Sequence, residues 1–161
     1  MTRRILKILV LLISLFPLTV FAGTRLLSSY SALMKALNGG ERVRVILHYG
    51  ECNLYIDGEK AESSPGAVGG MDMETFEWFP AGLFGDHPAF VVTSKSVLIA
   101  NPRGDGYVIN YVKIRVEENG SVTVTARYLN PQSHEILMDE TFKTQIFSKQ
   151  NEGAAYFYAD E

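Results

Sequence analysis

The chain has 161 residues, 15 Lys and Arg against 18 Asp and Glu, a formal net charge of −3 and one cysteine. That length suits one domain with its own core, and a single cysteine excludes an internal disulfide. An acidic balance without a basic cluster argues against nucleic acid or anionic lipid surfaces as partners, because phosphate contact needs clustered Lys and Arg.

Residues 1–22 have the layout of a secretory signal peptide. Arg3, Arg4 and Lys7 give a positive start, residues 8–21 are free of charge, and Val20-Phe21-Ala22 offers small residues where signal peptidase reads. Cleavage is expected between Ala22 and Gly23, which would send the protein to the periplasm or the exterior without a membrane anchor. A retained anchor is the alternative. A spanning helix needs about 20 apolar residues, and this run is shorter and broken by Pro17. A lipoprotein anchor would need a cysteine at the cut, whereas the cysteine is Cys52. Without the leader, 12 basic residues face 18 acidic ones, a net charge of −6, and residues 23–161 form a single domain.

In chain order, residues 29–37 predict one short helix. Ser28 or Ser29 can cap it, Leu33, Met34 and Leu37 recur at helical spacing, and Asn38-Gly39-Gly40 stops it. The period then changes to two: Val43, Val45, Leu47 and Tyr49 alternate with Arg44, Ile46 and His48. Gly50-Glu51 reads as a hairpin turn into a strand over 52–56. Residues 59–74, with Pro65, Gly66, Gly69 and Gly70, read as a long loop, and 75–79 as a short aromatic strand. Residues 90–94 and 97–101 are two strands, or one strand with a bend.

The clearest hairpin joins 107–117 to 121–130 around Glu118-Asn119-Gly120. A three-residue loop there sets Val116 opposite Val122, Ile114 opposite Val124, Val112 opposite Ala126 and Asn110 opposite Tyr128. Arg115–Thr123, Lys113–Thr125 and Tyr111–Arg127 then share the other, polar face. A long strand over 135–148 and a final short one at Tyr156-Phe157-Tyr158 complete the pattern. The expected fold is mainly β: an antiparallel meander closing as a barrel or sandwich, with one short N-terminal helix packed on it.

Motifs for chemistry are scarce. His48, His87 and His134 lack zinc-ligand spacing, and there is no nucleophile elbow, phosphate loop or calcium loop. No catalytic residue, cofactor or metal is therefore assigned, and an enzyme is not expected. Two polar residues break the inward pattern: Asn110 between Val108 and Val112, and Glu140 on the face of Ile136, Met138 and Phe142. Either a β-bulge near Asp139-Glu140 turns Glu140 outward, or the carboxylate lines an internal ligand cavity. The segment from Gly69 to Phe79 gathers Asp72, Glu74, Glu77 and Trp78. Its carboxylates could bind a cation or transfer protons, or simply be solvated; Trp78 would close the core or one mouth of the barrel. Asp72, Trp78, Asn110 and Glu140 are thus candidates for a ligand or partner surface. The lone thiol Cys52 is either a small buried hydrophobe or a reactive group.

Several blocks resemble the VirK proteins of pathogenic and plant-associated bacteria. They are Leu33-Met34-Lys35-Ala36-Leu37, Val43-Arg44-Val45, Tyr49 with Cys52, and Gly69-Gly70-Met71-Asp72. Tyr111-Val112-Lys113, Thr125-Ala126-Arg127-Tyr128 and Met138-Asp139-Glu140-Thr141-Phe142 follow in order. The resemblance implies a small exported, virulence-associated protein, and it brings no reaction and no catalytic residue. The expected function is non-catalytic interaction with a protein partner in the envelope or host; alternatives are a β-barrel binding a small apolar ligand, and an enzyme built on Asp72, Glu74 and Glu77.

Overall fold

A computed structural model describes residues 23–160; the leader expected over residues 1–22 lies outside the described residues. Period-two patterning becomes strands, and the described chain holds eleven of them with one α-helix. In order these are β1 (Thr24–Leu27), α1 (Tyr30–Asn38), β2 (Val43–His48), β3 (Asn53–Ile56), β4 (Glu59–Lys60) and β5 (Val68–Asp72). Next come β6 (Glu77–Phe79), β7 (Phe90–Ala100), β8 (Tyr107–Glu117), β9 (Ser121–Leu129), β10 (Ile136–Gln145) and β11 (Ala155–Asp160).

The strands form two antiparallel sheets. The smaller runs β1-β11-β2-β5 and the larger β4-β3-β10-β9-β8-β7-β6. The fold is therefore an open sandwich rather than a closed barrel. Its core lies between the sheets, where Leu27, Leu47, Ile114, Val124 and Phe157 are fully buried. Helix α1 contributes Leu33, Ala36 and Leu37 to that core. Ser29 caps its first turn, its Oγ accepting from the Ala32 amide at 3.2 Å, and Gly40 takes φ 74° just beyond the helix end.

The β8–β9 register is the one that a three-residue turn demands, with Val116 opposite Val122 and Asn110 opposite Tyr128. Two expectations need correction. Gly50-Glu51 is no hairpin turn: Tyr49–Glu51 forms a 3-10 turn, with the Cys52 amide on the Tyr49 carbonyl at 3.0 Å. That turn carries the chain from one sheet to the other, so β2 and β3 do not pair. Residues 59–74 are not one loop, because they hold β4 and β5. Of the two forms expected for residues 90–101, two strands or one, the chain takes the single strand, paired with β8 along its whole length.

Candidate functional site

The inner face of the larger sheet is laid out in rows, because residues directly opposite on antiparallel strands share a face. One row is Thr93, Ile114, Val124, Phe142 and Leu54. The next is Lys95, Val112, Ala126, Glu140 and Ile56, and beyond it lies Val97, Asn110, Tyr128 and Met138. Ala126 stands in the middle of the second row, and its short side chain leaves space above it.

The opposing wall is equally spare. Gly69 pairs with Leu47, and a Cβ on it would sit 2.8 Å from the Tyr49 ring. Only glycine lets that ring lie against β5, where it meets Phe142 edge-on at 4.7 Å between centroids. A Cβ on Gly70 would approach the Val45 carbonyl oxygen to 3.0 Å. The segment before β5 is tied to the same turn: Tyr49 donates its amide to the Ala67 carbonyl at 2.9 Å, and Ser64 Oγ donates to the Tyr49 carbonyl at 2.6 Å.

Small residues on both walls leave an inter-sheet cleft of about 400 Å³. Its walls are chiefly apolar: Leu47, Met71, Val112, Ile114, Met138 and Phe142. Polar groups gather at one end. Glu140 Oε1 accepts from Arg103 Nη2 at 2.7 Å, and the Arg103 guanidinium lies 5.9 Å from the centre of the Tyr128 ring. Asn110 and Lys95 complete the polar lining. A bulge does interrupt β10, but between Ile136 and Met138. That position restores the inward alternation, so Glu140 faces the cleft and is not turned outward.

A model of the VirK protein family matches residues 26–134, about two thirds of the chain. The chain belongs to the VirK family. The crystal structure of a VirK family protein from Legionella pneumophila superposes with a TM-score of 0.61 at 16% identity, covering 82% of this chain and 97% of that one. At that identity the likeness carries the fold alone. No curated protein matches the chain by sequence at a significant level.

On this VirK fold the candidate residues fall in different places. Asn110 and Glu140 meet in the cleft. Asp72 lies on the other face of β5 and accepts from Arg44 Nε at 2.8 Å, which holds its carboxyl below the usual carboxylate range. Glu74 stands 3.8 Å from Lys95. Trp78 is on β6, 49% exposed, with Nε1 donating to Tyr30 Oη at 3.1 Å; it clasps the helix start and lines neither core nor cleft. Cys52 is buried, its thiol 3.5 Å from the His48 carbonyl oxygen, and burial pushes its pKa up. Among the described residues, no three His, Cys, Asp or Glu side chains stand close enough to share a metal ion.

Sequence reading missed Arg103 and Lys95 as site residues. Arg103 sits in the turn after β7, where periodicity carries no information. Ala126 was legible in principle, since the hairpin register already set this small residue inward between Val124 and Tyr128.

Proposed function

We propose that this VirK protein is an exported, non-catalytic binding protein whose inter-sheet cleft takes a small, largely apolar ligand. The observation that carries the reading is the cleft itself. A volume of about 400 Å³ is in the range of small-molecule sites, which are mostly apolar with a few convergent polar groups. Asn110 and Glu140 supply such groups at one end. Export rests on the leader pattern of residues 1–22. The test is titration of the purified protein with an environment-sensitive apolar dye. Saturable binding is expected, displaced by alkyl compounds and lost in Ala126→Leu, with the variant still melting cooperatively. Equal dye binding by the wild type and a folded Ala126→Leu would refute the cleft as the site.

A second reading, docking of a protein partner, is favoured by the outer face of the larger sheet. Leu98, Ile109, Leu129 and Ile136 form one apolar row there. Leu98, Ile136 and nearby Tyr107 are exposed, and contiguous exposed apolar residues mark interaction sites. Leu98→Glu with Ile136→Glu should abolish capture of such a partner and leave dye binding intact.

A further inference from the structure

We infer that the ligand is an amphiphile with an anionic head, in chemistry a medium-chain carboxylate, its tail over Ala126 and its head beside Arg103. This rests on the cleft being the binding site. The cleft has a polar end and an apolar body, so a wholly apolar ligand would leave polar groups dry and unpaired. Among the described residues, the Asn110 amide and the Tyr128 hydroxyl make no hydrogen bond. They face each other across β8 and β9, and both can donate.

Spare donors then select the head. The cleft is lined by Lys95, Arg103 and Glu140, and Glu74 beside Lys95 balances the charges. Glu140 engages Arg103 through a single Nη2 contact at 2.7 Å. The guanidinium fork has five donors, and its remaining N–H groups have no partner among the described residues. Lys95 is only loosely held, 3.8 Å from an exposed Glu74. A carboxylate entering between Arg103, Asn110 and Tyr128 meets three potential donors. Glu140 opposes it, but keeps Arg103 turned toward the cleft. A cationic head would gain Glu140 alone and face Arg103, and a neutral hydroxyl would give the spare Arg103 N–H groups no anion to bind. A chain of about ten carbons suits a cavity of this size.

The experiment is displacement of the apolar dye by decanoate, decanol and decylamine at neutral pH, below their micelle concentrations. Decanoate should displace best, by about tenfold over decanol, with decylamine weakest. Added salt should weaken only the decanoate advantage. Arg103→Gln should erase that advantage, and Glu140→Gln should tighten decanoate several-fold while leaving decanol nearly unchanged. Decanol or decylamine binding as tightly as decanoate, or an unchanged order in Arg103→Gln, would overturn the anionic head and leave the cleft reading standing. Failure of all three compounds, and of the dye, to bind saturably would overturn both. Melting of each variant shows whether it is folded, and a conservative Arg103→Lys should restore most of the decanoate preference should Arg103→Gln prove unstable.

Discussion

Glu140 and Arg103 form a lopsided pair, joined at 2.7 Å with the carboxylate side chain 13% exposed and the guanidinium side chain 60% exposed. Removing the two ends therefore strands different things. Arg103→Ala leaves a nearly buried carboxylate without its partner and should cost about 1–3 kcal/mol. Glu140→Ala returns Arg103 to water and should cost about 1 kcal/mol or less. Glu140→Leu should be neutral or stabilising, because an apolar group replaces a desolvated charge. Urea melts of the three variants test the order; equal losses for the two alanine variants would contradict it.

Gly153 admits no side chain. A Cβ there would lie 2.6 Å from the carbonyl oxygens of both Gln145 and Ile146, and those peptides are held by the Ile146 amide donating to the Gly120 carbonyl at 2.9 Å and the Phe147 amide donating to the Ala155 carbonyl at 2.7 Å. Gly153→Ala should destabilise by about 1–3 kcal/mol, the usual scale of overpacking. A thermal melt matching the wild type would show that the segment yields.

Cys52 should label slowly with a thiol reagent in the folded state and quickly in denaturant, since it is buried and its thiolate is disfavoured. Its folded pKa is raised by burial above the ordinary value of 9.0. The unfolded chain therefore loses the proton first, and stability should fall as pH rises past that value. Burial of Tyr49 raises its pKa above 10.0 and acts with the same sign at higher pH. Cys52→Ala should cost on the order of 1 kcal/mol at neutral pH and flatten the first part of the alkaline decline, as followed by melts from neutral to alkaline pH.

Tyr30→Phe removes the acceptor of the Trp78 indole proton at 3.1 Å. The contact is exposed, so the loss should sit near the low end for a hydrogen bond, about 0.5 kcal/mol. Trp78 is the single tryptophan, and its emission should change in this variant. An unaltered spectrum and melt would mean that the clasp is not kept in solution.

Residues whose partners are near in sequence were readable. The β8–β9 hairpin has its alternation and its turn residues within one stretch, and α1 carries its own cap. Strand β5 was hidden because its reason is distant: Gly69 and Gly70 read as loop formers until Tyr49 and Val45 are set against them. For Glu140 two outcomes were open, a bulge near Asp139-Glu140 turning it out or a place lining an internal cavity. The bulge lies earlier, between Ile136 and Met138, and Glu140 lines the cleft. The cleft needed both walls to be seen, and its polar end depends on a turn residue, Arg103, whose reach to Glu140 across 37 positions leaves no trace in the local pattern.

The strand that begins the described chain is bonded to the one that ends it. β1 pairs with β11 from Thr24–Asp160 to Leu27–Phe157, and β11 is also the strand that joins β1 to β2. Made from its N-terminus, the chain presents β1 long before its neighbour exists, so the smaller sheet closes only once the last strand has been delivered. Closing so long a loop is slow, as in other topologies of high contact order. The wiring of the sheet thus delays its own completion until the whole domain has been made.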